Sequence, residues 1–192
     1  MFRSERPQQG RQRQFYQIGV EAIGSDNPFI DAEVIALAAG FLERLGIKRT
    51  HIKLNSLGCL KDKVKVMENH KENFRPHLEK LCSDCRARFD KNALRIFDCK
   101  NPSCRAIAEN VSAQKALCSE CAAHFEKVKK CLDGIGIKYA VDHRIVRGLD
   151  YYTRTVFEIT QESLGAKDAI CAGGRYNNLV KELGGKDTPA IG

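Results

Sequence analysis

The sequence predicts an α+β fold: an antiparallel sheet flanked by helices and interrupted by a helical insertion. Three observations carry that expectation. Segments of period two lie towards both ends of the chain, while the stretch from Cys59 to Leu132 is polar and reads with a helical period. The strand-like segments also do not alternate regularly with helices, which disfavours a doubly wound parallel sheet.

Arg3, Glu5 and Arg6 precede Pro7. After a polar turn with Gly10, Arg11, Arg13, Phe15, Gln17 and Glu21 come out on a second alternating run. Two extended segments joined by an arginine-bearing turn suit an anionic phosphate, because guanidinium binds phosphate bidentately and keeps its charge. Gln14 to Ile23 is the expected strand. Asn27 can cap a helix with Pro28 at its first position. Val34, Leu37, Ala38, Phe41, Leu42 and Leu45 then recur at helical spacing, predicting a helix from Asp31 to Leu45 that Gly46 ends. Arg49 to Leu54 alternates as a strand, with a turn expected at 55–58. In the insertion, breaks fall at Pro76, Asn101-Pro102 and Asn110. Phe74, Leu78 and Leu81 form one helix face there, and Ala116, Cys121, Phe125, Val128 and Leu132 another. Period two returns at 137–141, 152–160 and 169–172, and 176–183 reads as a short helix. The domains expected are a core from residues 1–58 and 133–192 and an insertion over 59–132.

The 192 residues carry 32 Lys and Arg, 24 Asp and Glu, and 43% apolar residues, ordinary for a soluble globular protein. No apolar run is long enough to span a bilayer, and the first residues lack the apolar core of a signal peptide, so a cytoplasmic location is expected. Of the formal charge of +8, most falls between Lys61 and Lys130, with 16 Lys and Arg against 10 Asp and Glu. Such a surplus is compatible with nucleic acid and equally with a solvated helical surface. Nine cysteines, an odd number with two Cys-x-x-Cys pairs, read as reduced or metal-binding thiols rather than a disulfide framework. Cys82 and Cys85 with Cys118 and Cys121 fit one closed tetrahedral Zn2+ site of structural role, with Cys99 and Cys104 as alternative or additional ligands. Small buried thiols are the other reading. The five histidines form no metal spacing and read as surface or packing residues.

Three clusters bear chemistry: FRSERPQQGRQRQFYQ from Phe2, VRGLDYYTRTVFE from Val146, and AGGRYNNLV from Ala172 followed by GGKDTPAIG. Read alone, the second could be a pocket rim or an edge-strand turn, and the diglycine of the third a ligand loop or a tight turn. In order and residue detail, the three together resemble the bacterial-type histidyl-tRNA synthetases, over essentially the whole chain. The resemblance implies a class II aminoacyl-tRNA synthetase catalytic fold that acylates tRNA(His) with histidine through an adenylate, using ATP and Mg2+, as a homodimer. It places Arg3 on the ATP α-phosphate, Glu5 and Phe15 at the adenine, and Arg11 near the outer phosphates. Gln17 and Glu21 would face histidine, with Glu21 taking the α-amino group. Arg147 would contact the α-phosphate and carboxylate, and Tyr151, Tyr152 and Tyr176 would wall the imidazole. Asn177 stands where many relatives carry aspartate. The resemblance further implies a fragment, inactive alone, whose first class II motif, third-motif arginine and anticodon-binding domain lie outside 1–192. The rival readings are the synthetase-like regulatory subunit of ATP phosphoribosyltransferase and a zinc-stabilised RNA-binding module without enzymatic activity.

Overall fold

The computed structural model describes residues 1–4, 12–97, 99–111, 117–145, 151–161 and 169–192, apart from the side chains at 92 and 94. Its centre is a sheet of β1 (Ala22–Ile23), β2 (Thr50–Ser56), β3 (Tyr139–Val141), β4 (Thr153–Gln161), β5 (Ala169–Arg175) and β6 (Ala190–Ile191). The spatial order is β1-β6-β5-β4-β2-β3. Every pair is antiparallel except β2 and β3, which run parallel. The antiparallel sheet expected is present with one parallel pair added, for a topological reason. Parallel neighbours need a crossover, and the helical residues between β2 and β3 supply it.

Helix α1 (Pro28–Arg44) begins at the expected cap, one turn before the Asp31 start read from the apolar spacing: the Asn27 side chain accepts from the Phe29 amide at 3.0 Å with Pro28 at the first position. It ends as expected: Gly46, at φ 77°, donates to the Glu43 carbonyl, and the Ile47 amide reaches back to Leu42. The expected strand from Gln14 to Ile23 is realised only as a bridge between Phe2 and Gln14 and the two residues of β1. Strand β2 continues through Asn55 and Ser56, where a turn was expected. The Asn55 side-chain amide donates to the carbonyls of His143 and Ile145 while its Oδ1 accepts locally from the Ser56 amide at 2.8 Å, so this turn-forming residue has long-range partners as well as a local one.

Strand β4 separates two apolar clusters. Phe157 and Ile159 face the same side as their cross-strand partners Leu54 and Ile52. They pack there with Val34, Ile35 and Leu42 of α1 and with Phe125, Val128 and Leu132 of α5 (Ser119–Gly134). Val156 points the other way, into a smaller cluster with Leu57, Ile145 and Tyr152 that Tyr151 and Tyr176 cover. The period-two alternation therefore builds the core on one face and the tyrosine group on the other.

The third cluster is separate. α2 (Leu60–Phe74), α3 (Ser83–Asn92) and α4 (Pro102–Asn110), with short 3-10 segments at Arg75–Lys80 and Ala93–Ile96, enclose Phe74, Leu81, Cys85, Phe89, Ile96, Cys104 and Val111. The boundary expected after residue 132 falls inside α5, whose apolar face lies in the main core.

One polar network runs under the sheet. Asp31 of α1 and Arg175 of β5 are both fully buried and ion-paired, with the Arg175 Nε donating to Asp31 Oδ1 at 2.8 Å. The other Asp31 oxygen accepts from His124 Nε2 of α5 at 2.8 Å. An Arg154 guanidinium N–H donates to His124 Nδ1 at 3.3 Å, and since arginine only donates, His124 carries its ring proton on Nε2. Burial pushes the Asp31 carboxyl up, but hydrogen bonds from His124 and Arg175, and the Arg175 charge, outweigh it and hold the carboxyl below its ordinary value.

Removing one member strands the other charge in the core. Asp31→Ala should therefore lower unfolding free energy by about 3–5 kcal/mol in urea titrations. A carboxyl with a depressed folded pKa stabilises above its unfolded value of about 3.9 and loses that contribution as pH falls through the folded one. The wild-type margin over Asp31→Ala should hold at neutral pH and shrink below about pH 4.

Candidate active site

Two parts of the expected site are described. In the first, the N-terminal strands pair through the Arg3 amide on the Arg13 carbonyl at 2.9 Å and the Phe15 amide on the Met1 carbonyl at 3.0 Å. Arg3 Cζ lies 4.5 Å from the Phe15 ring centroid, a cation–π contact, while its Nε donates to the Gln12 carbonyl. Arg3, Gln12, Gln14, Phe15 and Tyr16 line an open depression. A cation and an aromatic ring on one rim are suited to a phosphate and a flat heterocycle.

The second part lies where β1, β6 and the end of β5 meet. The Tyr176 hydroxyl donates to Glu21 Oε2. Tyr151 lies tilted against the buried Tyr152, with ring centroids 4.8 Å apart, and meets Tyr176 edge-on at 6.0 Å. Burial and the Glu21 carboxylate both push the Tyr176 phenol upward, so it remains a neutral donor at physiological pH. A carboxylate beside three tyrosines offers an acceptor for an ammonium group and aromatic walls for a ring. Gln17, expected beside Glu21, is exposed. Glu5, Arg11 and Arg147 lie outside the described residues.

The glycines here admit neighbours. A Cβ on Gly173 would collide with the Gly192 carbonyl and lie 2.7 Å from the Phe157 ring; one on Gly174 would lie 2.9 Å from Tyr152 Cδ1; one on Gly192 would collide with the Glu21 carboxylate. The diglycine is thus a close-packing device in β5 that brings β4 and the 190–192 segment together.

The cysteines do not converge as the single site expected. Cys82 and Cys85 group with Cys99 and Cys104, whereas Cys118 and Cys121 group with Cys59 and Asp62. The two Cys-x-x-Cys pairs start different helices, α3 and α5, in different clusters. The Cys85 amide draws the Cys82 thiol down to about 7, while burial raises Cys85 and Cys104. In the other group burial raises Cys121. Burial also pushes Asp62 up, but hydrogen bonds, first from the Cys121 side chain, leave it below its ordinary value.

Sequence reasoning passed over Asp31, His124 and Arg175, and also Cys59 and Asp62. The signal for the last two was Cys59-Leu-Lys-Asp62, which repeats the Cys-x-x-Cys spacing with an acid as the second ligand.

The mixed sheet, its flanking helices and this edge site have the α+β architecture of the class II aminoacyl-tRNA synthetase catalytic domain. The histidyl-tRNA synthetase family profile matches residues 1–192. The chain is 49% identical over 193 residues to a histidine–tRNA ligase of Desulforamulus reducens, covering all of this chain and 46% of that protein. It is 51% identical to one of Pelotomaculum thermopropionicum, covering 45% of it. Apo histidyl-tRNA synthetase of S. aureus superposes with a TM-score of 0.69 at 37% identity, covering 93% of this chain and 44% of that one. A Bacillus halodurans protein described as an ATP phosphoribosyltransferase regulatory subunit/histidyl-tRNA synthetase shares the fold, with a TM-score of 0.56 at 22% identity over 89% of this chain and 48% of that one. This chain belongs to the histidyl-tRNA synthetase family. It spans about half the length of the curated relatives it matches.

Gly173→Ala should destabilise the chain by about 1–3 kcal/mol, the usual range for overpacking, as read by the urea midpoint. An unchanged midpoint would mean that the strands have room to separate.

Proposed function

We propose that this chain supplies a class II catalytic core, with a helical insertion beginning at residue 59, for ATP-dependent ligation of histidine to tRNA(His). The match over residues 1–192 carries the reading, supported by the Glu21–Tyr176 pair among the tyrosines. The histidine carboxylate attacks the ATP α-phosphorus, a bond to pyrophosphate breaks, and the adenylate is then attacked by a ribose hydroxyl of the terminal tRNA adenosine. The carboxylate is already ionised at neutral pH, so in-line positioning matters more than a general base.

In this reading Arg3 and Arg147 neutralise charge building on the α-phosphate. Phe15 stacks on adenine, Glu5 contacts its amino group, and Arg11 reaches the outer phosphates. Glu21 accepts the α-ammonium, Gln17 lies beside it, and Tyr151, Tyr152 and Tyr176 enclose the imidazole. Magnesium supplies charge neutralisation on the triphosphate when bound. The described site residues offer cationic, aromatic and phenolic groups, with Glu21 engaged by Tyr176, so they fit the phosphates directly and the metal through them. The basic insertion would lie along the tRNA acceptor arm, and the active unit would be a cytoplasmic homodimer. Among the described residues, no helix is long and apolar enough to cross a membrane.

Histidine-dependent ATP–pyrophosphate exchange by the intact gene product tests this reading, and Arg147→Ala should lower it at least about 100-fold, the scale of a lost transition-state donor. Exchange that is absent in the wild type would favour the regulatory-subunit or RNA-binding readings. Glu21→Gln should weaken histidine far more than ATP in titrations, because it removes the charge that would face the α-ammonium. Equal losses would contradict that division of labour.

A further inference from the structure

The two cysteine groups stand apart from the catalytic reading, and each converges on a point. In the first, the sulfurs of Cys82, Cys85, Cys99 and Cys104 all lie within 4.8 Å of one another. In the second, the same holds for the sulfurs of Cys59, Cys118 and Cys121 and one Asp62 oxygen. Four sulfurs held tetrahedrally about 2.3 Å from a zinc ion lie about 3.8 Å from each other. Cys82 Sγ and Cys99 Sγ are 3.9 Å apart, close to that edge and far beyond a disulfide bond of about 2.0 Å. None of the nine cysteines is in a disulfide.

The helices aim these groups. Cys59, Cys82 and Cys118 are the N-caps of α2, α3 and α5, and Asp62, Cys85 and Cys121 stand three residues later in the first turns. Cys104 occupies the equivalent first-turn place in α4, after its cap Asn101. N-caps favour Ser, Thr, Asp and Asn, yet Cys82 and Cys118 hold that position and make no side-chain capping bond. Partial positive charge at a helix start favours thiolates. The Cys82 amide also donates to Cys104 Sγ at 3.1 Å, a contact that suits a sulfur bearing negative charge.

We propose that the chain binds two structural zinc ions. One sits at Cys82, Cys85, Cys99 and Cys104 inside the insertion. The other sits at Cys59, Asp62, Cys118 and Cys121, where the chain leaves β2 for the insertion and returns through α5. Thiolate donors in a closed tetrahedron are the chemistry of structural zinc, and a single ion fits the span that the ligand atoms leave. The first ion would reinforce a small core built from short helices. The second would join α2 to α5, where the Cys118 amide already donates to Asp62 Oδ1 at 3.1 Å.

The test is elemental analysis of the intact gene product purified without chelator, alongside Cys85→Ser, Cys121→Ser and the control Cys171→Ser, which lies in neither group. The expected zinc contents are about two, one, one and two per chain. Should a variant fail to fold, cobalt titration of metal-stripped wild type should saturate at about two equivalents with tetrahedral thiolate-to-cobalt absorption. Fewer than two ions in the wild type, iron in their place, or a Cys82–Cys99 disulfide in the purified protein would overturn the assignment.

Discussion

The pairing of Asp31 with Arg175 is the constraint on which the rest of the arrangement depends. Both side chains are fully buried, so neither charge is tolerable without the other. Arg175 also donates to the carbonyls of Ser25 and Asn27 and to Asn177 Oδ1. One guanidinium thus fixes the start of α1, the end of β5 and the loop after it. Its chain neighbour Tyr176 and the nearby Glu21 are the two ends of the hydrogen bond at the candidate histidine pocket. The pocket therefore rests on a buried charge pair that does not itself face the site.

His124 extends the same lock to α5. It bridges Asp31 to Arg154, whose φ of 47° is unusual for a residue with a Cβ and coincides with a register shift between β4 and β5. Backbone strain of this kind persists where surrounding contacts over-determine it. Here the Arg154 amide and carbonyl are both engaged at 2.7 Å, with Gly58 and Leu57. The segment leading into α2 is thereby tied to β4, next to the Cys59–Asp62 group. A C=O or N–H left open at that crossing would cost about 1–3 kcal/mol, the same scale as the strained φ.

Much of this was legible along the chain, and the illegible part has a common physical cause. Helix α1 announces itself through Asn27-Pro28 and a three- and four-residue apolar spacing, both local features. The change of character at Cys59 likewise marks the insertion. What local pattern does not encode is pairing across distance. Asp31 in a first helical turn looks like an ordinary acid favoured by the helix dipole, and nothing near it in sequence names Arg175. The two Cys-x-x-Cys motifs have identical spacing, so spacing alone pairs them with each other; the fold instead gives each a different partner set. The parallel β2–β3 pair escaped for the same reason, because α5 was assigned to the insertion although its apolar face belongs to the main core. At the candidate site, Glu21 and Tyr176 lie far apart in sequence and were connected only through the family resemblance.

A double-mutant cycle on Asp31 and Arg175, measured by urea unfolding with Asp31→Leu, Arg175→Met and the double variant, tests the central claim most directly. If the pair is the mutual condition for burying both charges, the double variant should be more stable than the sum of the single losses predicts, by about 2 kcal/mol or more. Single losses that add to within about 0.5 kcal/mol would show that the two residues act independently, and would contradict the account.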